Sequence, residues 1–185
     1  SGAKGVRLNQ ILKARGIRGL ILAPFQHYQD TIDLECEDFS VVTIEKATKY
    51  PNFHHIIPNQ FDDLMLCWEK LHERGYKRVG LVVMSDLAER WHHQWEAAHN
   101  YASAQFESAP APIPILKLDK SNQTDRIRSW LREHRPQAVI SRCDRFFEAA
   151  KQEKLRVPED IGYVSLNISD DRPGASGIDQ NRKTM

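Results

Sequence analysis

Six short β-rich runs, each separated from the next by a stretch long enough for a helix, constrain this chain more than any other feature. They are Gly19–Pro24 (GLILAP), Ser40–Glu45 (SVVTIE), Arg78–Met84 (RVGLVVM), Pro114–Leu118 (PILKL), Ala138–Ser141 (AVIS) and Ile161–Leu166 (IGYVSL). Several are continuously apolar, which suits strands covered on both faces. Between them the spacing predicts helices. Leu8, Ile11 and Leu12 form one stripe closed by Gly16, and Phe61, Leu64, Trp68 and Leu71 a second closed by Gly75. Both glycines stand where a left-handed C-cap is expected. Leu87, Trp91, Trp95, Ala98 and Ala102 give a third stripe, and Ile127, Trp130 and Leu131 a fourth, stopped by Pro136. A fifth helix is expected after Asp144, with Phe147 and Ala150 inward. Alternating strands and helices imply an α/β fold of parallel βαβ units with helices on both faces.

Two stretches break the alternation. Lys46–Pro58 is polar and proline-bounded, and Ser169–Gly177 is rich in Gly, Pro, Ser and Asp. Read as crossings between lobes, they put residues 1–57 in an N-terminal lobe and 58–168 in a C-terminal lobe. Residues 169–185 then form a return crossing to the first lobe.

Composition narrows the function. The 185 residues suit one domain or two small lobes, and 41% apolar with 28% charged residues is a globular balance. With 26 basic and 25 acidic residues the net charge is +1, unlike the basic excess of a free-standing nucleic-acid binder. No apolar run approaches the roughly 20 residues of a membrane span. The start, SGAKGVRLNQ, lacks the apolar core of a signal peptide. Cys36, Cys67 and Cys143 read as ordinary thiols, consistent with a cytoplasmic location.

Few residues assemble chemistry. Neither GxGxxG nor GxxxxGK[ST] occurs, and GxSxG and HExxH are also missing. His92 and His93 would diverge by ~100° on a helix and cannot hold one metal together. Asp30–Asp38 lacks the alternating ligands and central glycine of a calcium loop and reads as a solvated helix face. The run Arg126–Arg135 has the interleaving of an amphipathic surface helix. With no nucleophile, base and orienter in prospect, an enzyme, a metal and a cofactor are not expected.

Several segments carry a resemblance. ARGIRGLILAP (Ala14–Pro24), ERGYKRVGLV (Glu73–Val82), PQAVISRCDRFFEAAKQEKLRVPEDIGYVSLN (Pro136–Asn167) and ASGIDQN (Ala175–Asn181) follow one another in order and spacing. Together they resemble the effector-binding domain of lactose-repressor (LacI/GalR) type transcription regulators. The resemblance implies a periplasmic-binding-protein type I fold, two α/β lobes joined by three crossings, with a sugar- or nucleobase-like effector in the cleft. It also implies a homodimer and an operator-binding headpiece, which these 185 residues do not contain. Relative to that family the chain reads as truncated at both ends. A solute-binding protein of the same fold is the alternative.

Ligands of open parallel sheets bind beyond the carboxyl ends of the strands. The candidate effector contacts are therefore Phe25, Asn59, Arg90, Trp91, Asp119, Asp144, Asn167 and Gln180. Each has a plainer alternative: Asp144 as a helix cap, Asn167 as a turn residue, Arg90 as a partner of Glu89, Phe25 and Trp91 as core aromatics. The chain also departs from the family pattern. Ser165-Leu166-Asn167 replaces Gly-Phe-Asp, Cys143 replaces an Asn, and Lys154 replaces a helix-closing Gly. Arg90 precedes Trp95 without the usual Gly between them.

Overall fold

A computed structural model describes residues 2–25, 32, 34–46, 51–106, 112–168 and 176–179. The chain divides into two compact units, Ser1–Pro58 and Asn59–Met185.

The first unit contains helix α1 (Gly2–Ala14) and strands β1 (Gly19–Leu22), β2 (Ser40–Ile44) and β3 (His54–Ile56). The strands form a parallel sheet in the order β1-β2-β3, with Leu20 beside Val41 and Val42 beside His54. β3 lies inside the polar stretch read as a crossing, and its residues are exposed. An exposed, histidine-rich run of three carries no hydrophobic pattern, which is why the sequence does not announce it. α1 ends as expected at Gly16, whose φ is +67°. Its buried side differs from expectation: Asn9 is 2% exposed, whereas Leu8 and Ile11 are 46% and 40% exposed. Asn9 is turned inward because its amide bonds the Glu35 backbone in both directions, Nδ2 to O and N to Oδ1, each at 3.3 Å. The acidic stretch contributes only a 3-10 turn, Cys36–Asp38, in place of the expected helix. Register puts Leu20, Leu22, Val41 and Thr43 on one face of the sheet and Ile21, Val42, Ile44 and Ile56 on the other. Val41 and Thr43 are buried, while Ile21 and Ile56 remain 75% and 70% exposed.

The second unit runs α2 (Gln60–Glu73), β4 (Val79–Met84), α3 (Ser85–Arg90), α4 (Gln94–Phe106), β5 (Leu116–Leu118), α5 (Gln123–His134), β6 (Ala138–Ser141), α6 (Arg145–Gln152) and β7 (Gly162–Ser165). Its parallel sheet has the order β5-β4-β6-β7. The step from β4 to β5 goes one way along the sheet, and the steps to β6 and β7 go the other. Right-handed crossovers therefore place α4 on one face and α5 with α6 on the opposite face. Both faces are covered, and β6 is buried along its whole length. Val82, Val139, Ile127, Trp130, Phe146 and Tyr163 form the core beneath α5 and α6. Trp68, Trp95, Ala98 and Ala102, all at most 1% exposed, fill the side of α2 and α4.

Two expectations about helices change. The single stripe from Leu87 to Ala102 is broken into α3 and α4, because His92 and His93 take left-handed backbones with φ +49° and +57°. These histidines therefore occupy a turn, not a helix face, and His93 Nδ1 lies 2.8 Å from Glu96 Oε1. In α6 the inward aromatic is Phe146, fully buried, while Phe147 is 38% exposed. Among the described residues no helix is long and apolar enough to cross a membrane.

Residues 176–179, expected in a return crossing, run beside β7. Ser165 N donates to Ser176 O at 2.9 Å and Ile178 N to Ser165 O at 2.8 Å. A side chain at Gly177 would place its Cβ 2.2 Å from Ser165 O, so this segment can approach β7 only as glycine.

Candidate functional site

The helices that follow β4 and β6 lie on opposite faces, so the crevice between the carboxyl ends of these two strands is the switch point of the sheet. Register sets what surrounds it: Val82 is level with Ser141, Ser141 with Ser165, and Met84 with Leu118. The residues just beyond are Ser85–Trp91, Arg142–Asp144, Asn167 and Asp119. Five of the eight sequence candidates, Arg90, Trp91, Asp144, Asn167 and Asp119, thus fall along one edge of the second unit, with Arg90 ending α3 beside Trp91.

Two of them present buried polar atoms without a protein partner. Trp91 is 2% exposed and its Nε1–H has no acceptor, and the Oδ1 of Asn167 has no donor. Buried polar groups in native folds are almost always paired, so such orphans mark places for water or a ligand. At the start of α4, Gln94 Oε1 and Trp95 Nε1 are orphaned too.

The other candidates are engaged differently. Asn59 caps α2: its Oδ1 accepts from Asp62 N at 3.3 Å and its Nδ2 donates to Asp62 Oδ2 at 2.6 Å. Both ends of its amide are used locally. Asp119 is exposed and lies 3.5 Å from Arg126 Nη1. Asp144 occupies the N-cap position of α6 but, with φ −66° and ψ −24°, makes no capping bond with its side chain. Phe25 is half-buried in the first unit, beyond the end of β1. Gln180 lies outside the described residues.

The structure adds positioning residues that sequence reading missed. Ser141 Oγ donates to Val82 O and accepts from Cys143 N, both at 2.9 Å, so it ties β4 to the turn after β6. Ser165, one strand along, holds only its own turn: its Oγ donates to Asn167 O at 2.8 Å and accepts from Asn167 N at 3.2 Å. A serine ending each strand two residues before the turn residue was the available signal. Gln123 joins three strand ends. Its Nε2 donates to Asp119 O at 2.6 Å and lies 3.6 Å from Met84 Sδ, and its Oε1 lies 3.9 Å from Cys143 Sγ.

Burial pushes the Cys143 thiol above its usual range and the Cys67 thiol up to about 12, which leaves neither as a nucleophile at neutral pH. No group of three or more His, Cys, Asp and Glu side chains could hold a metal ion among the described residues. Around these strand ends the arrangement offers one buried donor and one buried acceptor without protein partners.

Comparison with solved structures identifies the same architecture. A protein from Rhizobium etli, designated a transcriptional regulator of the LacI family, superimposes with a TM-score of 0.67 at 17% identity, over 89% of this chain and 63% of that one. The lac repressor dimer bound to operator and the anti-inducer ONPF gives 0.66 at 22% identity, over 95% and 64%. A LacI-family regulator from Enterococcus faecium with bound ribose gives 0.61 at 16% identity, over 94% and 68%. The chain spans 63% to 68% of the length of these three proteins. No curated protein matches the sequence significantly. Residues 68–183 match the family described as periplasmic binding protein-like domain, covering most of the second unit, with its switch-point crevice and orphaned polar atoms. The chain belongs to the periplasmic binding protein-like domain family.

Proposed function

We propose that this chain is the effector-sensing and dimerisation domain of a LacI-type transcription regulator. A small uncharged polar molecule, sugar- or nucleobase-like, binds at the carboxyl ends of β4, β6 and β7. Its binding changes the affinity for operator DNA of a headpiece outside these 185 residues. The observation that carries the reading is the pair of buried, unpartnered atoms, Trp91 Nε1 and Asn167 Oδ1, at the switch-point edge of a family-matched domain. One donates and one accepts, which suits hydroxyl groups or the edge of a base. Asn167 in place of a carboxylate favours a ligand that offers a donor without needing a full negative charge opposite it.

The test is a thermal-shift screen of pentoses, hexoses and nucleobases on the intact chain, repeated with Asn167→Ala. A true effector raises the melting temperature as its concentration rises, the free energy of unfolding growing by about 2.7 kcal/mol at one hundred times its dissociation constant. Asn167→Ala is expected to weaken that ligand by about tenfold, the loss of one buried hydrogen bond. A well-folded chain that responds to nothing in the screen sinks the proposal. Sedimentation with and without the ligand tests the dimer. A ligand that binds a strict monomer favours the solute-binding alternative.

A further inference from the structure

The second unit contains another concavity, outside the strand-end crevice just described. It has a volume of about 390 Å³ and lies between the carboxyl half of α2 and the amino end of β7. Leu66, Leu71, Tyr76, Val164 and Ile178 supply apolar walls, and Lys70 and Arg74 stand among its lining residues. Gly162 contributes bare backbone: a Cβ there would lie 3.0 Å from the Tyr76 ring, so glycine lets the ring lie close against β7. The volume falls within the range of small-molecule sites, from about 300 to 1,000 Å³, and is far below what a folded partner needs.

Charge decides the class of occupant. Lys70 pairs with Glu73 at 2.8 Å, with both side chains more than half exposed. Such an exposed pair contributes little to stability and yields readily to a competing anion. Arg74 Nη1 donates to Lys70 O at 3.0 Å, a bond that uses one of the five N–H donors of its guanidinium. Two cations against one carboxylate leave one positive charge. The carboxyl end of α2 offsets only about half a charge of that. The remaining field is positive, beside an apolar floor.

We propose that this pocket is a second small-molecule site, for an aromatic or short-chain carboxylate whose apolar body lies against Leu71, Tyr76 and Val164 and whose carboxylate meets Arg74 and Lys70. Its wall communicates with the strand-end site. Ser176, Gly177 and Ile178 line the pocket, and their backbone bonds hold Ser165, whose hydroxyl in turn holds Asn167. A ligand pressing on Ile178 therefore acts on the segment that fixes the Asn167 backbone.

The test titrates the full chain with 4-phenylbutyrate and, separately, with the uncharged 4-phenylbutan-1-ol, following backbone amide NMR signals. Saturable shifts are expected at residues 162–164 and 176–178, extending to Asn167, with the acid binding two- to fivefold or so tighter than the alcohol. Arg74→Gln should reduce that preference, Arg74→Gln combined with Lys70→Gln should remove it, and neither should change the alcohol. Leu66→Glu, an exposed helix position that leaves the fold untouched, should weaken the acid more than the alcohol. Three results overturn the proposal: no saturable shift at these amides, acid and alcohol bound equally, or an acid preference that survives the double substitution. These readouts do not involve a sugar or a base, so failure here is separate from failure of the effector screen.

Discussion

Lys154 closes α6 with φ +60°, donating from its N–H to Lys151 O at 3.0 Å while Leu155 N reaches back to Ala150 O at 2.9 Å. Gly16 and Gly75 close α1 and α2 with the same left-handed backbone, φ +67° and +83°. A residue with a Cβ costs about 1–2 kcal/mol in that conformation, and glycine returns part of this through the entropy of its unfolded chain. Lys154→Gly should accordingly stabilise the protein by about 0.5–1 kcal/mol, seen as a higher urea midpoint at unchanged slope. An unchanged or lower midpoint would mean that the Lys154 side chain contributes more than its backbone costs. At Gly80 the requirement is spatial, since a Cβ there would lie 2.2 Å from the Trp130 ring. Trp130 cannot retreat, as its Nε1 donates to Pro114 O at 2.8 Å. Gly80→Ala should destabilise by about 1–3 kcal/mol in a urea melt, the usual cost of overpacking.

Among the elements, the α2–α4 pair carries the most pH-sensitive contact. His99 is 1% exposed on α4, and its Nδ1 accepts from Trp68 Nε1 on α2 at 3.1 Å. Burial depresses its pKa from 6.5 to about 4. The unfolded chain thus binds the proton first as pH falls through 6.5. Stability is full above that value and is lost between pH 6.5 and 4, at up to about 1.4 kcal/mol per pH unit. His99→Gln should flatten this part of a stability-against-pH curve; an unaltered curve would assign the acid sensitivity elsewhere. The elements also show what a sequence can and cannot convey. All six β-rich runs contain strands, and β4, β6 and β7 are the most conspicuous, since a strand buried on both faces must be apolar. β3 went unread because an edge strand with exposed residues is under no such demand. The break between α3 and α4 was hidden because Trp91 and Trp95 are both buried, so the apolar spacing continues across a turn that only the left-handed His92 and His93 reveal. At the candidate site, strand-end positions followed from topology. The serine and glutamine bonds that hold them did not, being contacts between residues distant in the chain.

At the scale of the molecule, the two units differ in how much apolar surface they enclose. Of the hydrophobic residues in the described core, only Phe39 and Val41 belong to the first unit. Amides of β4 and β6 should therefore exchange at least about a thousandfold more slowly than those of β1 and β3, because local opening is governed by buried contacts. Equal protection in native-state hydrogen exchange would contradict this. The face of the first sheet that carries Ile21, Ile44 and Ile56 has a practical consequence for handling the protein. Residues that lie in water contribute little to folding and much to the solubility limit. Replacing Ile21 with Lys should leave the melting temperature nearly unchanged while raising the concentration at which light scattering first detects clusters. The stability of this chain and its shelf life in solution are thus set by different residues and can be adjusted one without the other.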